Sequence, residues 1–135
     1  MKPLRTIFLV EDDQDDQEIF ITALSGIKDV ILFDVVTNGE EALDKLRGAT
    51  VLPSLIVMDI NMPVMDGMEC LSEIAKDRNI SDIPIVMLSS AIDHREIVYK
   101  LGARAFIKKT SNELLLRNEL KQAFRLCFDN IVNEA

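Results

Sequence analysis

Five short apolar runs, separated by segments of helical periodicity, constrain the fold of this chain more than any other feature. The runs lie at residues 6–10, 30–36, 55–58, 83–88 and 105–107. Most of them are continuous rather than alternating, a pattern typical of strands that are buried on both faces of a parallel sheet. A sheet of this kind needs helices on both of its faces.

The segments between the runs supply those helices. Apolar residues recur there at spacings of three and four, as with Phe20 and Leu24 after the first run and Leu71 and Ile74 after the third. Alternating strands and helices with right-handed crossovers predict an α/β fold, a flavodoxin-like doubly wound (βα)5 arrangement with a five-stranded parallel sheet and five helices on both faces. A chain of 135 residues has the size of one domain, so we expect a single domain over 1–135 and no output domain.

The charge of the chain limits its partners. Lys and Arg number 15 against 23 Asp and Glu, and the formal net charge is −8. This excess of negative charge disfavours direct binding to nucleic acid or to an anionic membrane. The first apolar run is too short for a signal-peptide core, and no run reaches the length of a membrane span. We therefore expect a cytoplasmic protein.

Acidic residues stand where the first and third runs end. Ligands of open α/β sheets bind beyond the carboxyl ends of the strands, where Glu11, Asp12 and Asp59 are expected to meet. Such carboxylates repel one another unless a cation joins them. Oxygen ligands without His or Cys favour Mg²⁺ or Mn²⁺ over zinc. Three further acidic residues are interpreted as a solvated loop: Asp13, Asp15 and Asp16.

A hydroxyl group and an ammonium group are expected at the same edge. Ser89 follows the fourth run and Lys109 follows the fifth. A carboxylate nucleophile, a cation that neutralises charge and a hydroxyl that bonds an oxygen form a site suited to a phosphoryl group. A bare phosphate would be repelled by the acidic residues at 11–16, which disfavours a flavin nucleotide site.

Four motifs in register resemble the receiver domain of two-component response regulators, in its stand-alone, chemotaxis-regulator-like form. They are VEDD at 10–13, MDINMPVMDG at 58–67, PIVMLSSA at 84–91, and GA at 102–103 with Lys109 downstream. The resemblance covers residues 5–130. It implies that Asp59 accepts a phosphoryl group from a histidine kinase or a phosphotransfer protein. It also implies signalling by phosphorylation-dependent contacts with a downstream protein whose identity the sequence does not give, rather than an enzyme that acts on other substrates.

The resemblance further implies a set of metal ligands. Asp12, Asp59 and the main-chain carbonyl of Asn61 would bind Mg²⁺ (or Mn²⁺) directly, and Glu11 would hold a metal-bound water. The acidic pair of the family is often Asp-Asp, and here it is Glu11-Asp12, which keeps both charges. Metal binding is therefore expected to survive this difference.

The resemblance also assigns the switch residues. Ser89 would bond a phosphoryl oxygen, and Lys109 would pair with the phosphoryl group. Phe106 occupies the aromatic switch position of the family, with ordinary core packing as the alternative. The usual Lys-Pro of the family is Lys109-Thr110 here, and a cis peptide without proline costs about 3–4 kcal/mol, so the geometry of this bond stays open. The lone His94 is interpreted as a surface residue at the start of the fourth helix.

Two other classes of function are weighed against this one. A metal-dependent phosphatase of the haloacid dehalogenase type, with an aspartyl nucleophile, needs an acid–base Asp two residues after that nucleophile. Asn61 stands there, and an amide does not shuttle protons. The third class is a receiver-like interaction scaffold that is never phosphorylated.

The fifth helical segment has more apolar residues than one stripe can bury. Between residues 114 and 131 they include Leu114, Leu126, Phe128 and Ile131. We expect some of them to point outward. Together with the fourth helix and the fifth strand, these residues would form an interaction surface, either for a homodimer or for a docking partner. The alternative is that they cover the open edge of the domain itself.

Overall fold

The computed structural model describes residues 3–128, in which strands and helices alternate along the chain. The strands are β1 Arg5–Val10, β2 Val30–Val36, β3 Leu55–Asp59, β4 Ile85–Ser89 and β5 Ala105–Lys108. The helices are α1 Gln14–Ser25, α2 Gly39–Gly48, α3 Gly67–Lys76, α4 Arg95–Lys100 and α5 Glu113–Phe128, and a 3₁₀ turn at Ile92–His94 precedes α4. All strand pairs are parallel, in the order β2-β1-β3-β4-β5. The predicted doubly wound fold is confirmed.

The core has two halves, one on each face of the sheet. Successive side chains of a strand point to opposite faces. In β1, Phe8 and Val10 accordingly pack with α2, α3 and α4, whereas Ile7 and Leu9 pack with α1 and α5. All four side chains are fully buried. Burial on both faces explains why the apolar runs are continuous.

A glycine brings α3 close to the end of β3. The Gly67 N–H donates to the Ile60 carbonyl at 2.7 Å. A Cβ at this position would overlap the carbonyl oxygen of Asp59 and lie 2.8 Å from the Ile60 Cα. Gly67 therefore allows the chain to turn directly beside the carboxyl end of β3.

The structure determines the geometry of the Lys109-Thr110 peptide bond, which the sequence leaves open. No peptide bond within residues 3–128 is cis, so this bond is trans. Within the same residues, no helix is both long enough and apolar enough to cross a membrane.

The outward-pointing apolar residues of α5 are confirmed in part. Leu114, Leu115 and Leu126 are exposed by 59%, 48% and 67%. Phe128 points outward less than these three: the ring is half-buried against the α1–α5 half of the core, and the Arg5 guanidinium lies 4.7 Å from its centroid. Phe128 therefore packs in part on the domain itself, as the alternative expects. Ile131 lies outside the described residues.

Candidate functional site

Four predicted site residues meet at the carboxyl edge of the sheet. Glu11 directly follows β1, Asp59 ends β3, Ser89 ends β4 and Lys109 directly follows β5. Because these four strands are parallel neighbours, their ends lie side by side. The Lys109 N–H donates to the Ser89 carbonyl at 2.9 Å, which joins the last two positions through the backbone.

The three predicted carboxylate ligands come together. Glu11, Asp12 and Asp59 each offer an oxygen atom, and these atoms all lie within 4.8 Å of one another. Glu11 and Asp59 are buried, with 1% and 4% of their surface exposed, whereas Asp12 is open to solvent. Asn61 lies exposed in the loop that follows β3, two residues beyond Asp59.

The ammonium group of Lys109 is surrounded by carboxylates. Its Nζ lies 2.8 Å from Glu11 Oε1, 2.8 Å from Asp16 Oδ2 and 3.3 Å from Asp59 Oδ2. An ammonium group has three N–H donors, so these contacts can engage every one of them. Lys109 therefore reaches the phosphoryl-accepting edge predicted for it, but with all of its donors in use.

Asp16 is a functional neighbour that the sequence analysis missed. The sequence predicts a solvated loop at this residue, but its carboxylate accepts a hydrogen bond from Lys109 and is only partly exposed. Asp13 caps α1 by accepting from the Asp16 N–H at 2.9 Å. This cap places Asp16 in the first helical turn, beside the end of β5. The sequence does place an acidic residue at this turn, which could have indicated the contact with Lys109. The direction of its side chain, however, depends on the residue at which α1 begins.

Burial shifts the pKa values of the cluster. Desolvation raises the pKa of Glu11 from 4.5 to about 7, against the lowering effect of Lys109. Desolvation also raises the pKa of Asp59, again opposed by Lys109. Burial alone would lower the pKa of Lys109, but its hydrogen bonds to Asp16 and Glu11 and the charge of Asp59 raise it. Lys109 therefore stays positively charged, whereas burial makes the ionised carboxylates of Glu11 and Asp59 less stable than they would be in water.

The cluster fits a divalent cation. Glu11 Oε2 accepts from the Asp13 N–H at 3.1 Å, and the buried Glu11 Oε1 lies 2.8 Å from the Lys109 ammonium. Four carboxylates, those of Glu11, Asp12, Asp16 and Asp59, surround one ammonium group, and a metal ion would offset the excess negative charge. The oxygen-only donor set matches the ligands that Mg²⁺ and Mn²⁺ prefer.

Ser89 has an unexpected partner. Its side chain is fully buried, and its Oγ accepts from the Ala91 N–H at 3.0 Å and lies 3.2 Å from His94 Nδ1. His94 is therefore not the plain surface residue that the sequence analysis predicted. The 3₁₀ turn at Ile92–His94 brings the half-buried ring back over the end of β4. No sequence pattern indicated this turn.

Phe106 lies in β5, the strand that pairs with β4. It pairs with Met87 in the β4–β5 register. Its ring is half-buried and packs against the core on the α2–α4 side of the sheet. Both interpretations of this residue, a core aromatic and a switch aromatic, are compatible with that position.

A comparison with known protein families identifies the family of this chain. The model of the response regulator receiver domain matches residues 7–121. The chain belongs to the receiver domain family. This receiver domain is 33% identical over 132 residues to the response regulator protein VraR of Staphylococcus saprophyticus, a match that covers 95% of this chain and 58% of VraR. It is also 38% identical over 133 residues to a protein-glutamate methylesterase/protein-glutamine glutaminase of Desulfotalea psychrophila, which covers 90% of this chain and 35% of that protein. The receiver domain thus spans only part of these curated relatives.

Solved structures show the same architecture. The phosphorylated cyanobacterial phytochrome response regulator RcpA matches with a TM-score of 0.80 and 31% identity, covering 94% of this chain and 96% of RcpA. The Mn²⁺-bound form of the response regulator Rcp1 matches with a TM-score of 0.76 and 26% identity, covering 90% of this chain and 92% of Rcp1. One of these relatives was thus captured with a phosphoryl group and the other with a divalent metal.

Proposed function

We propose that this receiver domain accepts a phosphoryl group on Asp59 from a histidine kinase or a phosphotransfer protein and then signals through phosphorylation-dependent protein contacts. The observation that carries the proposal is the position of Asp59. Its buried carboxylate lies 3.3 Å from the Lys109 ammonium and within 4.8 Å of oxygens of Glu11 and Asp12. A nucleophile, a cation and a metal-binding pair therefore occupy one edge.

The chemistry follows from these groups. A carboxylate oxygen of Asp59 attacks the phosphorus of the donor, a P–O bond forms, and the bond to the departing imidazole nitrogen breaks. When bound by Asp12, Asp59 and the Asn61 carbonyl, with Glu11 acting through a water, Mg²⁺ (or Mn²⁺) would neutralise charge on the phosphoryl oxygens. We propose that the domain modifies its own Asp59 and turns over no other substrate.

Lys109 supplies a second positive charge to the product. To meet a phosphoryl oxygen, its ammonium must give up one of its three carboxylates. Asp16 is the most accessible of them, with 38% of its side chain exposed against 1% for Glu11 and 5% for Asp59. We propose that the Asp16 contact is the one that Lys109 releases.

Ser89 is proposed to carry the signal out of the site. A hydroxyl that turns toward a phosphoryl oxygen draws the end of β4 toward Asp59. The backbone bond from Lys109 to Ser89 and the pairing of Met87 with Phe106 connect that movement to β5. Phe106 would then change its packing in response.

The output surface is proposed to lie on α4, β5 and α5. Both helices pack beside β5, and together they expose Ile97, Tyr99, Leu114, Leu115 and Leu126. Exposed apolar surface of this kind usually marks an interface, either of a homodimer or with a downstream protein. In sedimentation measurements on the phosphorylated protein, a Leu115→Glu, Leu126→Glu double variant should lose self-association. A wild type that stays monomeric would favour a separate partner.

Treatment with a small phosphodonor tests the function. We expect acetyl phosphate with Mg²⁺ to add the mass of one phosphoryl group to the wild type and nothing to Asp59→Asn or to a sample with a metal chelator. Repeated turnover of a phosphoester would favour the phosphatase. An unmodified wild type would favour the scaffold.

A further inference from the structure

The hydrogen-bond partners of Ser89 limit where its hydroxyl hydrogen can point. The Oγ atom is fully buried and accepts from the Ala91 N–H at 3.0 Å. Its own hydrogen needs an acceptor, because a buried hydroxyl without one is costly. Among residues 3–128, the only acceptor with which Oγ forms a hydrogen bond is His94 Nδ1, at 3.2 Å.

This arrangement favours one tautomer of His94. A neutral imidazole has one N–H and one bare nitrogen. If Ser89 donates to Nδ1, that nitrogen is bare and Nε2 carries the hydrogen. A phosphoryl oxygen is also an acceptor, so it and His94 would compete for the single hydrogen of the Ser89 hydroxyl.

We propose that His94 is a positioning residue that holds the Ser89 hydroxyl away from the phosphorylation site and so opposes the switch. This inference rests on the proposed roles of Asp59 and Ser89. Within residues 3–128, the His94 side chain makes a hydrogen bond to Ser89 and none to the proposed metal ligands, so we propose that it acts only through Ser89. When Asp59 is modified, the hydroxyl leaves Nδ1 and turns to the phosphoryl oxygen, while the Ala91 N–H can stay on Oγ.

The location of His94 suits this role. It lies five residues after Ser89, at the end of the 3₁₀ turn that connects β4 to α4. Its own N–H bonds the Ala91 carbonyl only weakly, at 3.4 Å, so the turn can adjust. Release of the Ser89–His94 bond would therefore free the segment that leads into α4.

The first test uses the fact that His94 is the single histidine of the chain. In untagged protein with ¹⁵N-labelled histidine, one imidazole gives all the ring signals, so they need no assignment. We expect a bare Nδ1 and a protonated Nε2 in the resting protein, and a shift of Nδ1 after addition of beryllium fluoride with Mg²⁺ as a phosphoryl mimic. A hydrogen on Nδ1 in the resting protein would overturn the proposal.

The second test measures the competition in a variant series by calorimetric titration with beryllium fluoride. His94→Leu and His94→Gln both lose an acceptor at the Nδ1 position, whereas the shorter amide of His94→Asn keeps one there. The energy of one neutral hydrogen bond predicts a half-saturating concentration that is roughly 2- to 12-fold lower for Leu and Gln, and near the wild-type value for Asn. Asp93→Asn, an exposed neighbour in the same turn, is the matched control and should behave as wild type.

Two further readouts separate this role from a structural one. The affinity for Mg²⁺ alone should be equal in wild type and His94→Leu, because His94 makes no hydrogen bond to the proposed metal ligands within residues 3–128. In a Ser89→Ala background, His94→Leu should have no effect. An unchanged half-saturation in His94→Leu, or an equal change in the Ser89→Ala background, refutes the role of His94. If acetyl phosphate does modify Asp59 in the same preparations, only this inference falls; if it does not, both fall.

Discussion

Replacement of Gly67 by alanine tests whether the close approach of α3 to β3 builds the site. The added methyl group would overlap the Asp59 carbonyl oxygen and come 2.8 Å from the Ile60 Cα. Both neighbours are backbone atoms, so no rotamer change can relieve the overlap. We expect the start of α3 to move away and to displace the end of β3.

The expected cost follows from known overpacking effects. Extra methyl groups in tight interiors cost typically about 1–3 kcal/mol, and a clash with backbone belongs at the upper end. Alanine recovers part of this loss through its better helix propensity, by up to about 1 kcal/mol. A net loss of about 2–3 kcal/mol corresponds to a fall in Tm of roughly 6–12 °C for a domain of this size. The protein should still fold, since domain stabilities are about 5–15 kcal/mol.

Urea unfolding and phosphorylation by acetyl phosphate measure the two effects. Gly48→Ala is the matched control, because it lies at the end of α2 and a Cβ there meets no atom within 4 Å. We expect the control to be as stable as wild type or slightly more so, with normal phosphorylation. Equal stability of Gly67→Ala and Gly48→Ala, together with equal phosphorylation rates, would refute the packing argument.

Four further predictions concern the charged cluster. Because the pKa of Glu11 is raised from 4.5 to about 7, the folded state binds this proton more tightly than the unfolded state. The stabilising effect is complete below pH 4.5 and is lost as the pH rises through 7. Without metal, the raised pKa of Glu11 alone should lower the free energy of unfolding by roughly 2–3 kcal/mol between pH 5 and pH 8. Because the pKa of Asp59 is raised as well, Glu11→Gln should reduce the fall rather than abolish it, and an unchanged pH profile would contradict the burial argument. Asp12→Ala should abolish the rise of Tm with added Mg²⁺, whereas an unaltered rise would place the metal elsewhere. Asp16→Asn should remove the ion pair between Asp16 and Lys109. The loss of a partly exposed ion pair should raise the steady-state level of phosphorylated protein by up to roughly five-fold. A lower level would show that Asp16 assists Lys109. Lys109→Ala should keep the fold, as judged by circular dichroism, but lose phosphorylation or the structural response to it.

The sheet and its acidic edge were predictable because they depend on order along the chain. The continuous run at residues 6–10 predicts a strand buried on both faces, and a parallel sheet then brings Glu11 and Asp59 together. Asp16 and His94 were not predictable in the same way. Their contacts depend on the residue at which α1 begins and on a single 3₁₀ turn, so a shift of one residue would turn either side chain to solvent. For Phe128, helical periodicity does not reveal that the ring packs beside Arg5.

The backbone bond from the Lys109 N–H to the Ser89 carbonyl affects how variants at this edge combine. The side chains of Ser89 and Lys109 are both proposed to bind the phosphoryl group. The backbones of these two residues are joined by this hydrogen bond at the ends of β4 and β5. A substitution that displaces one strand end shifts the other, even when the second side chain is intact. Effects of changes at the two positions should therefore not add, and tolerance for a new residue at one depends on which residue stands at the other. During evolution, the two positions are expected to change together rather than one at a time.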